Sequence, residues 1–83
     1  GITISGGDPI YSSKELMPFL REYKKENPTH TIWLYTGFKY EDIKNNEVLK
    51  LVDVLVDGKY IEELRDITLA FRGSKNQRII RLS

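Results

Sequence analysis

Three short apolar segments, each running into a turn with glycine or aspartate, most constrain the fold of this chain. They are Ile2–Ser5, Thr31–Thr36 and Val52–Asp57, and the stretches between them are long enough to cross a sheet. Crossovers of this length join parallel strands, and a parallel sheet is covered by helices on its faces. The pattern therefore predicts an α/β chain with the order β-α-β-α-β.

The stretch after the first segment has the pattern of an amphipathic helix. Ser12 and Glu15 have the spacing of a capping box, so we expect a helix to open there. Apolar residues then recur with the period of one helix face, at Leu16, Met17, Phe19, Leu20 and Tyr23. This stripe is expected to pack on the sheet.

The second crossover, Tyr40–Leu51, is also expected to be helical. The pair Asn45-Asn46 favours a break or a kink within it, because asparagine side chains compete for backbone hydrogen bonds. Beyond the third apolar segment the sequence predicts a helical turn, a loop and a last strand, at Ile61–Arg65, Thr68–Asn76 and Gln77–Leu82.

Composition bounds the function. A chain of 83 residues makes one small domain, and its net charge of +1 gives no support for nucleic-acid or membrane-surface binding through bulk charge. No apolar run approaches the roughly 20 residues of a membrane span, so a cytoplasmic location is expected. The sequence has no cysteine, which excludes thiolate ligands and cysteine nucleophiles within it. The single histidine, His30, is interpreted as an ordinary loop residue, so no metal site is predicted.

The ends of the three apolar segments are chemically alike, which predicts a ligand site. In parallel α/β folds these carboxyl ends lie along one edge of the sheet, where ligands bind. The residues expected to bind a cofactor there are Ser5, Gly6, Gly7, Asp8, Thr36, Asp57 and Lys59. Two carboxylates beside open carbonyls favour a cationic group such as an amine. The competing interpretation is that glycine and aspartate simply make good turns.

No catalytic residue is predicted. The sequence has neither a P-loop lysine pattern nor a full dinucleotide glycine fingerprint, and no histidine lies near a serine as in a hydrolase triad. The edge is therefore interpreted as a cofactor-binding site rather than a catalytic triad.

Several stretches resemble a known family. The turn ISGGDP resembles the Gly-Gly-Glu-type motif of radical S-adenosylmethionine enzymes, with Asp8 in the acidic place. The stretches VDVLVDGKY (Val52–Tyr60), IEELRD (Ile61–Asp66) and FRGSKNQRII (Phe71–Ile80) resemble, more specifically, the activating proteins of anaerobic ribonucleoside-triphosphate reductase.

The resemblance implies a fold and a chemistry. The fold would be a parallel βαβαβ partial barrel, the C-terminal portion of a radical-SAM-type barrel, with a final C-terminal strand. The intact protein would bind a [4Fe-4S] cluster through a C-x-x-x-C-x-x-C loop and cleave S-adenosylmethionine reductively. It would thereby generate the glycyl radical of anaerobic ribonucleoside-triphosphate reductase, its partner.

Roles for individual residues follow from the same resemblance. The turn Ser5-Gly6-Gly7-Asp8 would hold the methionine amino group of the cofactor. Thr36 and Asp57 lie at strand ends that line the cofactor site in such barrels. Asp57 and Lys59 match an Asp-x-Lys spacing found near the cofactor in related activating enzymes.

The sequence departs from the family pattern in lacking the cysteine loop. Residues 1–83 are therefore expected to be the C-terminal portion of a longer oxidoreductase, inactive without the cluster ligands, and the start at Gly1 rather than Met favours the same interpretation. An unpaired strand edge would then make the piece self-associate. The alternatives are a small non-catalytic α/β module that binds a nucleotide or amine at the Gly6-Gly7-Asp8 edge, and a structural domain with an incidental glycine turn.

The basic residues near the carboxyl end leave two interpretations open. They would either dock the reductase or another polyanion, or form a solvated loop and edge strand whose charge discourages aggregation. Both interpretations stay open for Arg72 and Arg78, whereas the solvated loop and edge strand is the preferred interpretation for Lys75 and Arg81.

Overall fold

A four-stranded mixed sheet forms the frame of the molecule. The computed structural model describes residues 1–5, 8–59, 63, 68 and 76–82. The strands are β1 (Ile2–Ile4), β2 (Ile32–Tyr35), β3 (Val54–Asp57) and β4 (Arg78–Arg81), in the order β1-β2-β3-β4. The first three are parallel, as predicted, and β4 runs antiparallel to β3. The α/β class is thus confirmed, and the partial barrel stays a proposal.

The register of the strands places apolar residues on one face of the sheet. Ile4 of β1 is opposite Leu34 of β2, Leu34 is opposite Leu55 of β3, and Leu55 is opposite Ile80 of β4. Leu34 and Leu55 are fully buried. Since successive strand residues point to opposite faces, this row fixes which residues meet the helices.

Helix α1 (Ser13–Glu26) begins near the predicted position, with Ser12 as its N-cap residue. A 3-10 turn at Pro9–Ser12 precedes it, and the Asp8 Oδ1 accepts a hydrogen bond of 3.1 Å from the Ile10 N–H. The Ser12 side chain makes no capping bond, so the expected capping box is wrong. Pro9, with its fixed φ and missing N–H, starts the 3-10 turn directly after Asp8, and the Asp8 carboxylate caps that turn rather than α1.

The predicted apolar stripe of α1 packs on the sheet, except at one position. Leu20 is fully buried, and Leu16, Met17 and Tyr23 pack against the core. Phe19 is 54% exposed, contrary to the expectation. It lies at the margin of a stripe centred between Leu16 and Leu20, where the helix surface already turns to solvent.

The second crossover is two short helical pieces rather than one helix. Helix α2 covers Tyr40–Ile43 and a 3-10 segment covers Glu47–Leu51. The break falls at the predicted asparagine pair, because the Asn46 side chain accepts a hydrogen bond of 3.0 Å from the Val48 N–H and so caps the second piece. Ile43, Val48 and Leu49 of these pieces are buried, and Leu51 is half-buried.

The core lies between this side of the sheet and the helical segments. Its buried members are Leu20, Ile32, Leu34, Ile43, Val48, Leu49, Val52 and Leu55. Trp33 and Tyr35 are half-buried on the other face of β2. Close packing of the core holds the carboxyl ends of the parallel strands in one row.

Some predictions fall outside the described residues. They concern the helical turn at Ile61–Arg65, most of the loop Thr68–Asn76, Gly6 and Gly7 of the first turn, and the basic residues Arg72 and Lys75. Among the residues that the structure does describe, no helix is long and apolar enough to cross a membrane.

Candidate functional site

Four segments meet at the carboxyl edge of the parallel strands. The turn at Asp8 follows β1, residues 36–38 follow β2, and residues 57–59 end and follow β3. Because β4 is antiparallel, its amino end also reaches this edge, and Arg78 is directly opposite Asp57. We call residue 8 and residues 36–38, 57–59 and 76–78 the ligand edge.

The Asp8 carboxylate ties the first turn to the end of β2. It accepts hydrogen bonds from the Thr36 hydroxyl (2.8 and 3.0 Å to its two oxygens) and from the Gly37 N–H (2.8 Å), besides the Ile10 N–H. These four contacts come from three donors, because the Thr36 hydroxyl lies within hydrogen-bond distance of both carboxylate oxygens. Asp8 is half-buried, and a donor from solvent or a ligand can reach it.

Asp57 is fully buried and has its donors within the chain. Its carboxylate accepts hydrogen bonds from the Tyr40 N–H (2.7 Å), from Arg78 Nε (3.0 Å) and from Arg78 Nη2. Burial acts to raise the pKa of Asp57, but the hydrogen bonds from Arg78 and Tyr40 outweigh it and the pKa is lowered. Asp57 is therefore an ionised group whose carboxylate is buried and hydrogen-bonded within the chain.

Arg78 bridges two carboxylates from different segments. Besides Asp57, its guanidinium contacts Glu41 of α2 through Nη1 (3.1 Å to Oε2) and Nη2 (2.8 Å to Oε1). This is the planar, two-point pairing for which arginine is suited. The hydrogen bonds from Arg78 lower the pKa of Glu41, and the hydrogen bonds to Asp57 and Glu41 raise the pKa of Arg78.

Gly58 and Lys59 connect β3 to the neighbouring segments. Gly58 has φ +92°, a left-handed conformation that side chains rarely adopt. Its N–H donates to the Phe38 carbonyl (2.9 Å), and its own carbonyl accepts from Gln77 Nε2 (3.0 Å). Lys59, the next residue, is exposed at the edge, and its carbonyl accepts a bond of 2.7 Å from Asn76 Nδ2.

Two adjoining cavities open at the ligand edge. The charged cavity, about 480 Å³, is lined by Gly37, Lys39, Glu41, Asp57, Gly58, Lys59, Asn76 and Arg78. The aromatic cavity, about 300 Å³, is lined by Asp8, Tyr11, Gly37, Phe38 and Lys59. The rings of Tyr11 and Phe38 meet edge to face with centroids 5.4 Å apart. Gly37 and Lys59 border both cavities, so the edge offers an apolar wall beside a charged one.

The structure brings most of the predicted site residues together. Asp8, Thr36, Asp57 and Lys59 lie at one edge, Ser5 lies exposed just after β1, and Gly6 and Gly7 are not described. Sequence reasoning missed Glu41, Arg78 and the two rings. The signal for Arg78 was its place at the start of the last strand, which points to this edge only if that strand runs antiparallel.

The class of protein follows from comparison with known proteins. A family model described as a 4Fe-4S single cluster domain matches residues 1–80. The chain therefore belongs to that family.

Its curated relatives carry one name, anaerobic ribonucleoside-triphosphate reductase-activating protein. The Haemophilus influenzae protein is 42% identical over 98% of this chain and 55% of its own length. The phage T4 protein is 47% identical over 95% of this chain and 51% of its own length. The Escherichia coli K12 protein is 37% identical over 93% of this chain and 53% of its own length. The chain thus spans about half the length of these relatives. The predicted resemblance is confirmed, and no solved structure matches the chain.

The residues of this chain do not fit the iron–sulfur cluster that the family description implies. Such a cluster is held by cysteine thiolates, and the sequence has none. Within the described ranges, no group of three or more His, Cys, Asp or Glu side chains is arranged to hold a metal ion. Any cluster ligands would have to come from residues outside this sequence.

Proposed function

We propose that these 83 residues are the cofactor-binding, C-terminal portion of a radical S-adenosylmethionine activating enzyme for anaerobic ribonucleoside-triphosphate reductase. The observation that carries the proposal is the 47% identity to the phage T4 activating protein over 95% of the chain. The ligand edge supports it, because a partly open carboxylate and an exposed lysine lie beside two cavities there. The single partial domain, the parent barrel and the cytoplasmic location belong to the same proposal.

The chain's own residues would bind and orient the cofactor. S-adenosylmethionine, when bound, supplies the carbon–sulfur bond whose reductive cleavage begins the radical chemistry of this superfamily. Asp8 is half-buried and would accept a hydrogen bond from an ammonium group, and Ser5, Gly6 and Gly7 precede it in the sequence. Thr36 aims the Asp8 carboxylate through its hydroxyl. Lys59 offers a positive charge for a carboxylate at the rim shared by both cavities.

Asp57 would act differently from the other predicted residues. It is buried and its oxygens are occupied by Arg78 and the Tyr40 N–H. We therefore propose that Asp57 stabilises the ligand edge through its hydrogen bonds, while Asp8 and Lys59 contact the cofactor.

A segment exchange tests the proposal. The matching part of the phage T4 activating protein is replaced by this chain, and the hybrid is assayed anaerobically with S-adenosylmethionine and the phage reductase. We expect a glycyl radical signal by electron paramagnetic resonance within about tenfold of the parent's. The unexchanged phage protein is the positive control. A folded hybrid that binds no S-adenosylmethionine would overturn the proposal.

The isolated chain provides the second arm. Without thiolates it has no means of holding the cluster, so we expect no 5′-deoxyadenosine above a no-protein control, even with iron, sulfide and reductant. Formation of 5′-deoxyadenosine would contradict the cysteine argument. Binding of a nucleotide or amine at the Asp8 edge by a hybrid that activates nothing would favour the non-catalytic module instead.

A further inference from the structure

We propose that Arg78, on β4, is a positioning residue for the ligand edge. It would hold the segments after β2 and β3 in a fixed relation through the carboxylates of Glu41 and Asp57. The proposal rests on the proposed function only where it concerns cofactor affinity. The claim that Arg78 holds these two segments together depends only on contacts among this chain's own residues.

The first observation is the geometry of the guanidinium. Nη1 and Nη2 contact the two oxygens of Glu41 at 3.1 and 2.8 Å, while Nε contacts Asp57 at 3.0 Å and Nη2 also reaches it. Glu41 belongs to α2, after β2, and Asp57 ends β3. One rigid planar group therefore joins two segments that are sixteen residues apart along the chain (41 to 57).

The second observation is the dependence of Asp57 on this partner. A buried carboxylate is costly unless it is paired and hydrogen-bonded. Asp57 is fully buried, and besides the guanidinium it accepts a hydrogen bond of 2.7 Å from the Tyr40 N–H, at the first residue of α2. Arg78 thus keeps Asp57 ionised, and the ionised Asp57 holds the start of α2.

The third observation is that this network continues to the residues bordering the cavities. The Gly58 N–H donates to the Phe38 carbonyl at 2.9 Å, and Gln77, beside Arg78, donates to the Gly58 carbonyl at 3.0 Å. These bonds set the distance between the segments of Gly37 and Lys59, which border both cavities. A shift of Asp57 would therefore change the shape of both.

The same contacts argue against a docking role for Arg78. Its guanidinium is committed to two carboxylates, whose combined charge exceeds its own. A polyanionic partner would be attracted weakly to such a group. The sequence left open whether Arg78 docks a partner or belongs to a solvated edge strand. The structure favours neither interpretation, because the Arg78 guanidinium pairs with Glu41 and Asp57 at the ligand edge.

The test compares two arginines on the same strand. Arg78→Gln removes the bridge, whereas Arg81→Gln removes the same charge from an exposed position on β4. Amide hydrogen exchange is measured in the chain at Tyr40 and Gly58, with Leu34 as the core reference. We expect Arg78→Gln to accelerate exchange at Tyr40 and Gly58 at least about tenfold relative to Leu34. General destabilisation would accelerate all three alike, and Arg81→Gln should change none.

Cofactor affinity is the second readout, measured with S-adenosylmethionine on the hybrid described above. We expect Arg78→Gln to weaken binding about tenfold, Arg81→Gln to leave it unchanged, and Arg78→Lys, which keeps the charge without the planar fork, to lie between. Undiminished affinity with unaltered exchange at Tyr40 and Gly58 would overturn the inference while leaving the proposed function intact.

Failures of the two proposals are distinguishable. If the unsubstituted hybrid binds no S-adenosylmethionine, the proposed function fails and the exchange data decide the role of Arg78. If Arg78→Gln does not fold, the exposed Glu41→Gln replaces it, since it removes one anchor of the guanidinium without stranding a buried charge. We expect about threefold local acceleration from Glu41→Gln, and its absence would overturn the inference.

Discussion

At the scale of single residues, the two aspartates predicted to bind a cofactor have different surroundings. Asp8 is half-buried, whereas Asp57 is fully buried between Arg78 and the Tyr40 N–H. Both lie at or just after the carboxyl end of a parallel strand, and their neighbours in the sequence are alike. The difference comes from β4, which lies beside β3 and far from the Asp8 turn.

Replacing Asp8 should affect both the turn and the cofactor. In the hybrid activating protein, we expect Asp8→Ala to weaken S-adenosylmethionine binding about tenfold to a hundredfold, since a hydrogen bond to a charged group contributes roughly 1.5–3 kcal/mol. Thr36→Val removes the hydroxyl that aims the Asp8 carboxylate but leaves the carboxylate in place, so we expect it to weaken binding less than Asp8→Ala does. Calorimetry measures both. Equal affinity of Asp8→Ala and the parent would remove Asp8 from the site.

Gly58 should tolerate a side chain poorly. Its φ of +92° is left-handed, and a Cβ there would lie 3.4 Å from the Asn76 carbonyl oxygen. We expect Gly58→Ala to lower the free energy of unfolding by about 1–2 kcal/mol. Gly37→Ala is the control, because its φ is not positive and its Cβ would meet neighbours at ordinary contact distances of 3.4 and 3.9 Å. Urea unfolding that shows equal losses for both would contradict the conformational argument.

The ion pairs at the ligand edge should make stability depend on acid. The folded-state pKa values of Asp57 and Glu41 are lowered by hydrogen bonds from Arg78, against the effect of burial at Asp57. Each therefore contributes stability above its unfolded-state pKa, near about 4, and that contribution is lost as pH falls through the folded-state value. Urea midpoints measured from neutral pH downward should decline in this range. Arg78→Gln should flatten the decline, and an unchanged slope would contradict the assignment.

At the scale of elements, the second crossover shows how a local signal divides a helix. Asn46 accepts a hydrogen bond from the Val48 N–H and thereby begins the 3-10 segment. Because of the break, Ile43 and Val48 both reach the core. On one straight helix of this length, these two side chains would point in different directions.

The cap at Asn46 gives a prediction with a neighbouring control. We expect Asn46→Ala to lower the free energy of unfolding by about 1 kcal/mol, the usual contribution of a side-chain cap. Asn45 is exposed, so Asn45→Ala should change stability by less than about 0.5 kcal/mol. Thermal unfolding followed by circular dichroism compares the two. A reversed order would show that the break is set by the core and not by the cap.

At the scale of the whole molecule, the described sheet has β1 at one edge and β4 at the other. Within the part of the chain that the structure describes, β1 pairs on one side, with β2. Ile79 of β4 is 44% exposed. Unpaired strand edges beside apolar side chains are templates for association.

We therefore expect the isolated chain to self-associate, as the sequence also predicted. Sedimentation at high micromolar concentration measures the oligomeric state. Thr3→Lys places a charge on the exposed middle of β1 and should shift the chain toward monomer, because charged edge residues oppose strand pairing. A clean monomer of the unsubstituted chain, with cooperative unfolding, would show that these residues close their own core.

The sequence by itself determined the elements and much of the edge. Apolar runs with turn residues gave β1, β2 and β3 within a residue or two. The parallel order followed from the crossover lengths, and this placed Asp8, Thr36 and Asp57 together. These features depend on local pattern and chain length, which a sequence displays directly.

Only the tertiary structure decided which of these residues are open to a ligand. The orientation of β4 depends on how the chain returns across the sheet, and no local pattern in Arg78–Arg81 encodes it. That return places Arg78 against Asp57 and Glu41. Asp57, which was predicted to bind the cofactor, is therefore paired and buried, while Asp8 stays accessible. Burial and ionic pairing are properties of neighbours distant in the chain, and folding alone brings these neighbours together.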